Sequence, residues 1–310
     1  MANKLTAYQF ADLSVVTTMA LPELLPATTT AQSWRLAIDP ASYPGPRARW
    51  FHEWHDGDGQ RWMRFGRNRQ RYVLRFEQWA TFVVDVDRRT ITCHADADAP
   101  TPTIRHLLLN QVLPLLPGGS RRLVLHASAV RHRGVAIGFV GPGGSGKSTL
   151  CAALQRAGCG LITDDALVIE RREGVYTVTP SYAAIRLWPD SAGVVHAENA
   201  HAAPRSAHYS RKLRFVDARF DPQPVTLGRL CVLATNGATG VHPLPQRQAA
   251  LALIRSTFLL DIEDATGVTA AFALAADLAA SVPVHEMSYV WGLDRLLAST
   301  QAILDSVTAA

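Results

Sequence analysis

From residue 32 to about 96 apolar and polar positions alternate over short runs: SWRLAID (33–39), RWMRF (61–65), RYVLRF (71–76) and TFVVDV (81–86). A period of two sends successive side chains to opposite faces, so each run predicts a half-buried strand. HDGDGQ (55–60) and DRRT (87–90) supply turn residues between them, which predicts a small antiparallel, β-rich region. ADADAPTPT (95–103) reads as a linker, and IRHLLLNQVLPLLP (104–117) keeps helical spacing until PGGS interrupts it.

From Leu123 the pattern changes. LVLHASAV and VAIGFVG are compact strands joined by the turn RHRG, and a glycine-rich segment then feeds STLCAALQRAG, a short helix ending at Gly158. GLITDDALVI follows as an apolar strand broken by two aspartates. Strand, glycine loop, helix and strand make the core unit of a nucleotide-binding α/β domain. Further strands are expected at GVYTVTP, AAIRLW, GRLCVLA and VPVHEMSY. Helices are expected at QRQAALALIRSTFL, GVTAAFALAADLAAS and LDRLLASTQAILDSV, and a mobile loop at 196–212.

Composition adds bounds. The 310 residues, 48% hydrophobic and 18% charged, give room for one large core and a smaller one, so two domains are expected, at 1–119 and 120–310. A net charge of +5 and a pI near 9.2 suit an anionic partner without separating nucleotide, acidic peptide and RNA. Cys93, Cys151, Cys159 and Cys231 lack the spacing of a zinc or redox motif and read as reduced thiols. The N-terminal segment has no run of signal-peptide length. VTAAFALAADLAASVPV is interrupted by Asp277 and reads as a core helix, so a soluble, cytoplasmic protein with no membrane partner is expected.

The sharpest motif runs from Gly141 through Pro142, Gly143, Gly144, Ser145, Gly146 and Lys147 to Ser148, a G-x-x-x-x-G-K-S sequence between a strand and a helix. Its glycines let backbone N–H groups turn inward, and the helix start adds a positive dipole end. A triphosphate, with ATP as the expected nucleotide, would be cradled by this loop and by Thr149. Lys147 would reach the outer phosphates and Ser148 would offer its hydroxyl to Mg²⁺. Asp164 and Asp165 come at the next strand end, where a carboxylate can share that metal. One choice gives Asp165 the metal and Asp164 the proton of an attacking hydroxyl; the other makes a single metal aspartate with an idle neighbour. His126, in the strand hairpinned to the one entering the loop, could tune or anchor the base.

The set of His126, Gly141 fifteen residues later, and Thr163-Asp164-Asp165 resembles the catalytic domain of HPr kinase/phosphorylase and its kinase relatives. PSYAAIRLWPD (180–190), YSRKLRF (209–215) and VPVHEMSY (282–289) resemble the related kinases of peptide-modifying gene clusters, including lasso-peptide clusters. The resemblance spans about residues 120 to 300. It implies an α/β, P-loop kinase domain of the HPr kinase and phosphoenolpyruvate carboxykinase type after a smaller β-rich domain. It also implies that Asp164 acts as base beside His126 and that Asp165 serves Mg²⁺. Gly143 and Thr149 replace the serine and glutamate that flank the cradle in the family, so the forward transfer from ATP to a hydroxyl is what carries over, rather than HPr as acceptor.

Arg186, Arg211 and Lys212 are candidate contacts to a phosphate or substrate. Arg61, Arg64, Arg67, Arg69, Arg71 and Arg75 alternate with aromatics and read first as the wet face of a sheet, so nucleic acid is not the expected partner. His52-Glu53-Trp54-His55 lacks the spacing of a zinc helix. The expected activity is an ATP- and Mg²⁺-dependent serine or hydroxyl kinase acting on a peptide or small protein, with the N-terminal region available to recognise it. A small-molecule alcohol kinase and a nucleotide-gated binding protein stand as alternatives, and self-association is open.

Overall fold

The computed structural model describes residues 4–45, 48–116, 122–198, 200–217, 220–234, 240–288 and 292–309. The chain is mixed α/β with several sheets, and it divides into two compact units. The first comprises Met1–Gly118 with two short returns of the later chain, Ala207–Tyr209 and Leu259–Ala265. The expected division at 119/120 falls at residues 117–121, outside the described residues.

Among the described residues of the first unit nine strands form one sheet, with Leu25–Pro26 at one edge and Arg49–His55 at the other. Pairing is antiparallel except where Trp34–Asp39 runs parallel to both Leu13–Thr17 and Thr90–Ala95. Ala80–Asp85 is buried along its whole length, as the apolar run TFVV requires. The arginine run is taken up within the unit. Arg61 and Arg64 both reach Glu77, at 3.2 and 3.1 Å, Arg75 reaches Asp96 at 2.8 Å, Arg71 reaches Asp85 at 3.2 Å, and Arg67 pairs with Asp261. Tyr209, from the segment expected as a mobile loop, packs its ring against Trp62, Trp79 and His106. The helix expected over 104–117 begins earlier, at Thr101–Leu107, where Pro102 suits a first turn. It then widens over Leu108–Val112 and tightens over Leu113–Leu115.

The second unit is built around Arg122–His132, an eleven-residue strand that serves two sheets. Its first half pairs with Ala166–Arg172 and its second with Val135–Val140 and Gly160–Thr163. Val135–Val140 continues in parallel with Val225–Leu233, which in turn runs parallel to Val284–Ser288. Apolar cores form on both faces. Ile137 and Phe139 look toward the helix Lys147–Arg156, with Leu150 and Leu154. Ala136 and Val140 join the opposite core with Leu253 and Leu278, from the helices Gln246–Arg255 and Ala265–Ser281. Asp277 of the latter helix accepts from Arg171 at 2.7 Å and Tyr176 at 2.5 Å. Among the described residues no helix is long and apolar enough to cross a membrane. All four cysteines are buried and unpaired as disulfides.

Candidate functional site

Val135–Val140 ends against the sheet and the chain turns through the glycine loop into the helix Lys147–Arg156. Gly144 and Gly146 hold φ of 81° and 82°, a left-handed conformation that costs other residues about 1–2 kcal/mol. Gly146 is the residue that caps the helix, so the first-turn N–H groups lack helical acceptors and face the loop's interior. Lys147 folds back over the loop, its Nζ donating to the carbonyls of Gly141 at 2.7 Å and Pro142 at 3.0 Å. Burial pushes its ammonium down to about 8, Asp164 opposes that fall, and Lys212 adds to it.

The pair Asp164–Asp165 sits in the break between Gly160–Thr163 and Ala166–Arg172. Asp165 has φ of 80°, which turns the chain between the two strands and breaks the simple alternation of side chains there. Asp164 is fully buried. Its Oδ1 accepts from Ser148 Oγ at 2.7 Å and Ser128 Oγ at 2.8 Å, and its Oδ2 from the Arg186 backbone N–H at 3.0 Å. Asp165 instead pairs with the Arg186 guanidinium. Sequence had joined Ser148 to Asp165 through a metal; here Ser148 is bonded to Asp164.

A cavity of about 240 Å³ gathers the rest. Gly143, Gly144, Gly146, Lys147, Ser148 and Thr149 form its floor, and His126, Asp165, Arg186, Trp188, Ser191 and Lys212 form its walls. Thr149 Oγ1 donates to Ser191 Oγ at 3.2 Å. Lys212 Nζ stands 5.7 Å over the ring of Trp188, which is 49% exposed, and burial beside Arg186 lowers the lysine's pKa. Burial, with Lys147 close by, pushes His126 down to about 4, so its imidazole is neutral at pH 7. Gly141 and Ser145 are not on this wall: Gly141 offers its carbonyl to Lys147, and the Ser145 side chain is buried. Arg211 is exposed and outside the cavity.

Ser128, Trp188 and Ser191 were not picked out as site residues from sequence. Ser128 had a signal, since it lies two residues beyond His126 on the same strand and therefore on the same face. Trp188 lies two residues after Arg186 but just past the end of the strand Ala184–Leu187, so alternation alone does not place it. Ser191 had none, because its place depends on the helix Pro189–Val195 packing beside Thr149. Among the described residues no three His, Cys, Asp or Glu side chains gather as a metal cluster.

No protein-family model matches the chain, and no curated protein matches it. Among solved structures it is similar to the Hpr(Ser) kinase/phosphatase from Coxiella burnetii, at a TM-score of 0.33 and 10% identity, over 60% of this chain and 91% of that one. So slight a likeness carries none of the steps below, which start from the side chains of the cavity.

Proposed function

We propose that the chain is an ATP- and Mg²⁺-dependent kinase that transfers the γ-phosphoryl group to a hydroxyl, a serine of a peptide or small protein. One observation carries this proposal: the glycine loop, Lys147, Ser148 with Asp164 bonded behind it, and the Asp165–Arg186 pair meet at one small polar cavity. The hydroxyl of Ser148 lines the cavity and is a hard oxygen donor that fits Mg²⁺, and Asp164, buried 2.7 Å behind it, would hold that hydroxyl toward the ion. Mg²⁺ takes most of its ligands from phosphate and water, and when bound it would offset phosphate charge.

The other residues divide the remaining work. Lys147 leaves the carbonyls of Gly141 and Pro142 for the outer phosphates, and Arg186 and Lys212 face the charge that develops on the transferring group. Asp165, released as Arg186 turns to phosphate, takes the proton of the acceptor hydroxyl. That oxygen forms its bond to γ-phosphorus as the bond to the β–γ bridging oxygen breaks, and ADP leaves with the electron pair. The neutral imidazole of His126 can hold the incoming hydroxyl in place. Asp164 suits the base less well than sequence had assigned, because both of its oxygens are engaged and none of it reaches the cavity.

Purified protein with Mg²⁺, γ-labelled ATP and a degenerate library of serine peptides tests this directly. Label in peptide phosphoserine is expected; release of free phosphate with none in peptide would overturn the proposal. Lys147 also sets a pH dependence. Its pKa near 8 means that about nine-tenths is charged at pH 7 and about one-tenth at pH 9, so ATP affinity of the free protein should fall about tenfold over that range. Calorimetric titration across that range checks the fall, and Lys147→Arg should flatten it.

A further inference from the structure

A second cavity, of about 560 Å³, lies against the strand-side half of the glycine loop and shares His126 and Gly143 with the phosphate cavity. Its walls are mainly apolar, with Val140, Pro142, Val232 and Phe258 prominent. Its charged side chain is Arg255, exposed at the end of the helix Gln246–Arg255 and without a hydrogen bond or ion pair among the described residues. The wall is built rather than draped. His126 N donates to Ser256 O at 2.6 Å, Phe258 N donates to Val124 O at 2.9 Å, and the rings of His126 and Phe258 meet edge to face at 5.9 Å.

The lining of the phosphate cavity divides: Gly143 and His126 are shared with the second cavity, whereas Thr149, Ser191 and Trp188 line the phosphate cavity alone. A nucleotide whose terminal phosphate lies at His126 presents it to the second cavity. Resting on the kinase function above, we propose that the second cavity is the acceptor subsite, and that it selects a peptide whose serine is flanked by an apolar side chain and by a carboxylate. The apolar side chain fills the space between Val232 and Phe258, the carboxylate pairs with Arg255, and the serine hydroxyl comes to His126. In the transfer, serine oxygen gains the phosphoryl group, its proton goes to Asp165, and ADP leaves.

The test uses serine peptides in which each flanking position is fixed in turn as Leu, Asp, Lys or Ala, with γ-labelled ATP and Mg²⁺. Wild-type protein should favour peptides containing both Leu and Asp by about tenfold or more over those with Ala or Lys. Arg255→Glu, at an exposed position, should abolish or invert the preference for Asp. Ala252→Trp, which narrows the cavity, should raise KM for the favoured peptide about tenfold with KM for ATP unchanged. Transfer with no flanking preference, or an Ala252→Trp change that raises KM for ATP instead, would overturn the subsite and leave the kinase function standing. Failure of wild-type protein to label any peptide would overturn the kinase function and the subsite with it.

Discussion

Asp165→Asn is expected to lower phosphoryl transfer by about 10²–10⁴-fold, the range for loss of a general base, while ATP affinity holds or tightens a little. The substitution is close to isosteric, and asparagine tolerates the left-handed backbone at φ of 80° better than most residues, so folding is expected to survive. Without the carboxylate, Arg186 loses its ion pair and is freer to meet phosphate. Single-turnover transfer to a serine peptide, measured beside nucleotide binding, separates the two effects. Retained transfer in Asp165→Asn, together with loss in Asp164→Asn at unchanged Mg²⁺ dependence, would return the proton to Asp164.

Much of the fold was legible because local pattern and backbone geometry agree. The strand Val135–Val140, the turn after it and the helix Lys147–Arg156 follow from an apolar run, glycines that tolerate positive φ, and a helix start. The two short strands around Asp164–Asp165 follow from polar residues breaking an apolar run. What each aspartate touches was not legible. Their directions are set by the positive φ of Asp165 and by Ser128 and Arg186, which arrive from elements before and after the pair. Lys212 and Arg211 are adjacent and chemically alike, yet only Lys212 lines the phosphate cavity, where it stands over Trp188. The arginine run shows the same limit. Its partners include Glu77, Asp96 and Asp261, and the last joins that unit only because Leu259–Ala265 returns to it.

Asp164→Asn should act on the metal and on Lys147 together. Loss of the carboxylate that holds the Ser148 hydroxyl is expected to weaken Mg²⁺-dependent ATP binding by about 10–100-fold, the range for removing a partner that orients a metal ligand, with metal-free binding little changed. The amide cannot repeat all three contacts of the carboxylate. With its oxygen toward Ser128 and Ser148, its NH₂ group confronts the N–H of Arg186, leaving a buried donor without an acceptor at a stability cost of about 1–3 kcal/mol. Asp164 also holds the Lys147 pKa up against burial, so removing its charge lets that pKa drop below about 8. The fall in ATP affinity with rising pH should then begin at lower pH than in wild-type protein. Titrations in Mg²⁺ and in EDTA, each repeated from pH 6 to pH 9, read both effects. An Asp164→Asn protein that keeps its Mg²⁺ dependence, while Asp165→Asn loses it, would move the metal to Asp165.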